Sequence, residues 1–307
     1  LTNAGFPIAF LPDLADVLRC NKTLGSGRLR VTKEAVGDVT FLTFAIPVLL
    51  AVGAGAGFAA GLFGIGGGFV VVPALVFILP LLGVAGDQVP HIAVGTSLAT
   101  IIFTSARSTQ SHARRGSVDF EILKSWAPWV VLGTVAGSMI ADRISGATLA
   151  VIFGLGVLGF AVYFLLPRRR EEPVLSAMPD GVARFSLAGS LGAISALLGI
   201  GGGTIATLTM TLCGTPIHRA IGTAAGMGAI IAIPASIGFL VIGMGKDGLP
   251  WGSLGYVNLP AAFVIVLTSV VFAPLGVATA HLLSPALLRR VFGIYLILVG
   301  TTMIAKY

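Results

Sequence analysis

The sequence predicts an all-α polytopic membrane protein. It is built as two inverted-topology repeats, each a glycine-broken helical hairpin that spans or re-enters the bilayer plus three transmembrane helices. Three observations carry this. Of 307 residues 56% are hydrophobic and only 10% charged, where a soluble domain carries about 25% charged residues. So few charges cannot clothe a soluble chain of this size. The pentapeptide Gly-Ile-Gly-Gly-Gly occurs at 64–68 and again at 199–203, each time followed by His-x-Ala-[Val/Ile]-Gly-Thr, at 91–96 and 218–223. Finally, each copy carries five apolar segments, and an odd count turns the second copy over relative to the first.

The apolar segments fall at 41–63, 68–83, 92–107, 124–141 and 147–166, then at 185–198, 203–214, 217–243, 256–280 and 285–305. A spanning helix needs about 20 residues, with a floor near 17. Segments 185–198 and 203–214 fall below that floor, so with the glycine break between them they read as a hairpin or discontinuous helix turning inside the membrane. The first segment contains "AVGAGAGFAAG" (51–61), a small-residue seam that lets helices approach closely. Gly57, within it, is expected to tolerate alanine. The boundaries divide the chain into an N-terminal extramembrane segment (1–40), a first membrane repeat (41–166), a cytoplasmic linker (167–184) and a second membrane repeat (185–305). In the first of these, "FPIAFLPDLADVLR" reads as a short amphipathic surface helix, without the basic start and apolar run of a signal peptide.

The duplication extends past the glycines. "GSMIADRISGATLAVIFG" (137–154) aligns without gaps to "GVATAHLLSPALLRRVFG" (276–293), and "GSVDFEIL" (116–123) to "GSLGYVNL" (252–259). The main length difference is an insertion containing "LPLLGVAGDQVP" in the first half. Charge supports the inversion independently. With the linker in the cytoplasm, the cytoplasmic loops hold Arg107, Arg114, Arg115, Lys124, Arg168, Arg169, Arg170, Arg184, Arg219, Arg289 and Arg290; the outer loops hold Arg143 and Lys246, with Lys306 at the end. This is the positive-inside distribution. It puts both termini outside, against which stand the basic residues of 1–40. The net charge of +7 therefore reads as topology control, and nucleic acid is not a partner.

Glycine runs invite nucleotide readings, which fail here. A dinucleotide fingerprint needs glycine where Phe69 and Thr204 stand, and a phosphate loop needs a Gly-Lys-[Ser/Thr] that neither copy has. Three consecutive glycines cost a helix about 1 kcal/mol each, so the helix stops. Beyond the stop a new helix begins, and its N-terminus has free N–H groups and a positive dipole end, a place for an anion. Within a membrane such broken backbone lines a cavity or is buried in protein. The predicted substrate-binding residues are Gly66, Gly67, Gly68, Gly201, Gly202, Gly203 and Thr204, with Thr96, Ser97 and Thr223 as further hydroxyl donors. Close helix packing is the competing reading of the glycines, and back-bonding to the helix carbonyl that of the hydroxyls.

His91 and His218 each start a long helix and read either as helix-end structural residues or as gating, proton-linked groups. Arg107 and Arg219 read as snorkelling anchors or as a vestibule that draws anions inward. No carboxylate lies mid-membrane, against a carboxylate-based pump; no nucleophile–base set exists, so no enzyme is expected. Cys20 and Cys213 make neither a disulfide framework nor a metal site. No cofactor and no metal are expected.

In "GLFGIGGGFVVVPAL" (61–75), "HIAVGTSLA" (91–99), "LLGIGGGTIATL" (197–208) and "HRAIGTAAG" (218–226) the chain resembles the sulfite exporter TauE/SafE family of bacterial and archaeal membrane proteins, over residues 41–305. The resemblance implies export of a sulfur-containing anion such as sulfite or an organosulfonate across the cell (inner) membrane. The second copy departs from the first in replacing "FVVVPAL" by "TIATLTM", which adds Thr204, Thr207 and Thr209 and makes the second half the more polar wall. Two functions are open at this point. One is a secondary transporter of a small inorganic or organic anion, bound between the broken helices, with the lipid bilayer as its other partner and a homodimer left open. The alternative is a passive anion channel or a non-transporting membrane sensor. A channel should show a continuous polar stripe, and these segments are mostly apolar.

Overall fold

Ten helices and one two-stranded hairpin form among the described residues of the computed structural model, which are 45–64, 66–84, 86–166, 178–280, 282 and 285–307. In chain order they are α1 (Ile46–Phe63), α2 (Gly68–Leu81), α3 (Val89–Ala113), α4 (Phe120–Arg143), α5 (Gly146–Leu165), α6 (Gly181–Leu198), α7 (Gly203–Leu212), α8 (Ile217–Ile242), β1 (Ser253–Leu254), β2 (Val257–Asn258), α9 (Leu259–Ala280) and α10 (Pro285–Lys306). Each helix matches one expected apolar segment. Pro47–Tyr307 forms one compact unit. The other unit, Leu1–Ile46, lies outside the described residues except for Ala45 and Ile46, and so does the amphipathic helix expected there. Arg168, Arg169 and Arg170 of the linker are also outside them.

Local chemistry sets the helix ends. Asp119 caps α4 by accepting from the N–H of Glu121 (3.1 Å) and Ile122 (3.2 Å). Ser145 accepts from Thr148 N–H at the start of α5, and a proline in the first turn opens α3. Gly199 closes α6 with φ +61°. Gly67 and Gly202, with φ +83° and +63°, stand immediately before α2 and α7; only glycine takes such angles without strain.

Among the described residues, six helices are long and apolar enough to cross a membrane: α1, α3, α5, α6, α8 and α9. The structure lengthens α6 beyond the expected 185–198. It begins at Gly181 and reaches 18 residues, because Val182, Ala183 and Arg184 continue the helix up to the Asp180 N-cap position. Helix α7 stays at 10 residues and α2 at 14. Large apolar side chains such as Phe103, Met139, Leu155, Val162, Phe263 and Val271 face outward, an arrangement suited to lipid and not to water. The protein is a multi-pass membrane protein.

The interior is organised around α3 and α8, which run antiparallel. A Cβ on Gly95 would meet Phe239 Cβ, late in α8, and one on Gly222 would meet His112 Cβ, late in α3. The hairpin helices pack across the halves, α1 on α9 and α6 on α4, and the contacts recur at equivalent positions. A Cβ on Gly57 would overlap the Ser269 carbonyl oxygen; one on Gly192 would overlap that of Val130. Gly57 and Gly192 stand equally far before their glycine motifs, as Ser269 and Val130 do before the aligned segments at 276 and 137. Gly276 and Gly137 repeat the pattern against Phe58 and Ala193. The expectation that Gly57 tolerates alanine is therefore overturned, because backbone rather than a yielding side chain lies against it. Helices α5 and α10 close the side of the core, where Phe292 stacks on Phe63 at 4.1 Å between ring centroids.

Candidate functional site

The two glycine loops meet in the protein interior. A Cβ built on Gly66 would lie 3.4 Å from Gly201 Cα and 3.1 Å from Ser105 Oγ. One on Gly68 would overlap the Gly199 carbonyl oxygen and sit 3.0 Å from Ile200 Cα. Ser97, on α3, donates to that same Gly199 carbonyl at 2.9 Å. The structure thus brings together Gly66, Gly68, Gly201 and Ser97, four of the expected substrate-binding residues, although Ser97 and Gly199 alone stand 102 residues apart in the chain. Gly67 and Gly202 offer no side-chain cap to the helices they precede. In the first turn of α2 the Val70 N–H donates to Gly67 O at 3.0 Å; the leading N–H groups of α2 and α7 have no carbonyl one turn back to bond, as at any helix start. All six glycines are buried, so the loops close on one another in this conformation.

Around them lie hydroxyls of two kinds. Helix α3 carries a buried polar stripe of Thr96, Ser97, Thr100, Thr104, Ser105, Ser108 and His112. In segments that are mostly apolar, this stripe lies on the inward face of the helix, which packs against protein and not lipid. Most of the stripe is bonded internally. Thr100 donates to Ser97 O, Thr104 to Thr100 O while pairing with Ser269 Oγ at 2.8 Å, and Ser108 to Ala60 O. Among the described residues, four buried hydroxyls have no partner: Ser105, Ser195, Thr204 and Thr207. Ser105 and Ser195 are fully inaccessible and Thr204 is 3% exposed. An orphan buried hydroxyl costs about 1–3 kcal/mol. A Cβ on Gly202 would come 2.7 Å from Ser195 Oγ, which ties that orphan to the second loop as Ser105 is tied to the first. Ser105 and Ser195 carry no motif around them; only the packing of α3 and α6 against the loops reveals them.

Thr96 and Thr223 have a different occupation. Thr96 Oγ1 accepts from the Asn258 backbone N–H at 2.9 Å, and Thr223 Oγ1 from that of Asp119 at 2.8 Å. Each His-x-Ala-x-Gly-Thr motif thus latches the N-cap residue of a helix in the other half, α9 or α4. The glycine preceding each threonine lets the same loop approach, since a Cβ on Gly95 would meet Tyr256 O and one on Gly222 would overlap Ser117 O. These bonds pair Asp119 with Asn258. The structure therefore shifts the alignment of 116–123 with 252–259 by three residues, because the second loop holds the β1–β2 hairpin. Replacing Thr223 by valine leaves the Asp119 N–H unmet and should destabilise the purified protein by about 1–3 kcal/mol, read as a lower melting temperature. Thr96→Val should cost the same, whereas Thr301→Val, on an exposed part of α10, should be silent.

The remaining expected site residues lie away from the loops. His91 is buried, bonds Ala141 O at 3.0 Å and stacks on Tyr256 at 5.0 Å. His218 is exposed in the first turn of α8. Arg107 donates to Gln110 Oε1. Arg219 pairs with Asp119 at 2.9 Å, so it reinforces the latch beside Thr223. His112, which the motifs did not mark, is buried against Gly61 O at 3.3 Å. Cys213 is a free, half-buried thiol after α7, and among the described residues there is no cluster able to hold a metal ion.

A family description, sulfite exporter TauE/SafE, matches residues 49–303. The chain belongs to the TauE/SafE family. Among relatives of this family member, a "Probable membrane transporter protein" of Haemophilus influenzae is 35% identical over 270 residues, covering 86% of the chain and 99% of the relative. A probable membrane transporter protein of Methanocaldococcus jannaschii is 28% identical over 267 residues, covering 84% and 95%. One of Bacillus subtilis, YunE, is 24% identical over 276 residues, covering 84% and 96%. No solved structure matches this TauE/SafE member.

Proposed function

We propose that this TauE/SafE member is a secondary transporter that exports a small sulfur-containing oxyanion, such as sulfite or an organosulfonate, bound where the two glycine loops cross. The observation that carries the reading is that crossing: Gly66 lies against Gly201, and each loop leads into the uncapped N-terminus of α2 or α7. The amides of Gly66, Gly67, Gly68, Gly201, Gly202 and Gly203 serve as donors, with Thr204 as a hydroxyl donor. Glycine lets backbone N–H groups approach a ligand that a side chain would hold off, and the helix dipoles favour negative charge. The two halves act as inverted repeats, the reading supported by antiparallel α3 and α8 and by reciprocal seams and latches. Rocking one repeat against the other opens the site to alternate sides. The loops separate in that motion, and Thr96 and Thr223 bind the halves at its two ends.

The test is exchange of labelled sulfite in proteoliposomes holding the purified protein. Exchange above empty liposomes is expected, falling in Thr204→Val with a Kd raised about tenfold, the consequence of one lost buried partner. No exchange of any sulfur oxyanion would sink the reading. A reporter in the 167–184 loop should read cytoplasmic and one at 244–252 external; both on one side would remove the inversion.

A further inference from the structure

We propose that Ser105 and Ser195 are ligand-binding residues, and that the site they complete takes a singly charged oxyanion and rejects a doubly charged one. This rests on the site proposed above. Ser105 sits on α3 in the first half and Ser195 on α6 in the second, so a bound anion is gripped from both halves. Both hydroxyls are fully buried without a partner. Neighbouring hydroxyls do not behave this way. Thr104 and Thr109 bond the carbonyl one turn back, at 3.0 Å and 2.7 Å, an option open to Ser105 and Ser195 on the same kind of helix and unused. Instead Ser105 Oγ faces the first loop and Gly228, and Ser195 Oγ faces Gly202. Hydroxyls held away from their own helix, beside glycine loops that lead into helix starts without a side-chain cap, form a donor set for oxygen acceptors.

The lining also sets the charge of the ligand. Each of the nearest atoms that a Cβ on Gly66, Gly67, Gly68 or Gly202 would meet belongs to backbone, an aliphatic side chain or a serine hydroxyl. The basic groups nearby in sequence are engaged elsewhere: Arg107 on Gln110, Arg115 on Val277 O, Arg219 on Asp119. His112 lies about two helical turns beyond Ser105, on Gly61 O. The cost of taking an ion out of water rises with the square of its charge in the Born description, and a buried charge without a counter-ion is the costly case. Neutral donors offset that cost for one charge far better than for two.

Methanesulfonate and sulfate share tetrahedral sulfur–oxygen geometry and differ in charge, so they test this without changing pH. With purified full-length protein, methanesulfonate should raise the melting temperature and exchange into proteoliposomes; sulfate at equal concentration should do neither. Ser105→Ala and Ser195→Ala should each leave the ligand-free melting temperature unchanged or higher, since an orphan polar group is removed. Each should raise the methanesulfonate concentration for half-maximal stabilisation about tenfold. A merely structural serine would lower the ligand-free melting temperature and spare the affinity. Sulfate binding as well as methanesulfonate, or unchanged affinity in both variants, overturns the inference while transport stands. Should the unaltered protein neither bind nor exchange methanesulfonate, sulfate or sulfite, the transport reading fails and takes this one with it. If an alanine variant does not insert, the comparison of the two anions on the unaltered protein still decides the charge.

Discussion

Gly202→Leu is expected to abolish anion exchange, and Gly67→Leu to do the same. At both positions the backbone is left-handed, with φ +63° and +83°, a conformation that costs an ordinary residue about 1–2 kcal/mol. Space is the second obstacle. A Cβ on Gly67 would lie 2.7 Å from the Ala56 carbonyl oxygen, and one on Gly202 would run into Ile231 Cδ1 and Ser195 Oγ. Leucine adds three further carbons, so the loop must rebuild and its amides leave the crossing. Gly55→Ala is the matched control. It is exposed on α1, and a Cβ there meets only Val70 Cγ1, at 3.8 Å. Replacing a helix glycine by alanine there should stabilise slightly, by up to about 1 kcal/mol. Exchange rates normalised to protein in proteoliposomes decide the matter. Retained exchange in both leucine variants would remove the loops from the transport path.

Gly57→Ala and Gly192→Ala should strike assembly, and should do so equally. Each added methyl would overlap a carbonyl oxygen of the facing helix, Ser269 in one seam and Val130 in the other. Backbone cannot rotate aside as a side chain does, so the helices must separate. Overpacking of this kind costs about 1–3 kcal/mol, and in a membrane close packing is the main force joining helices. The yield of monodisperse protein in mild detergent and its melting temperature should fall together. Gly189→Ala, on the same α6 helix with its nearest foreign atom at 4.0 Å, should leave both unchanged. Loss in one seam only would mean that the two seams, alike in geometry, differ in load.

Much of this architecture was legible in the chain. Helix number and order came from apolar length, because a bilayer imposes one length on every crossing segment. The breaks at Gly66–Gly68 and Gly201–Gly203 came from glycine's cost in a helix, and their recurrence put equivalent breaks in equivalent places. Where local rules misled, a neighbour far away in sequence was the cause. Gly57 looked tolerant until Ser269 lay against it, and Thr96 and Thr223, read from the sequence as hydroxyl donors, each accept from the N-cap residue of a helix in the other half. Arg219, read as a snorkelling anchor or as part of an anion vestibule, stands beside Asp119 and pairs with it.

The sequence by itself determined a duplicated, membrane-spanning helical chain with two broken helices of glycine and hydroxyl chemistry, since composition, period and glycine content are properties of the chain. Only the tertiary structure decided which hydroxyls are already bonded and which are not. Ser105 and Ser195 resemble Thr104 and Ser108 in any local reading; whether an Oγ finds a partner depends on the helix packed opposite, and that is set by contacts between distant residues.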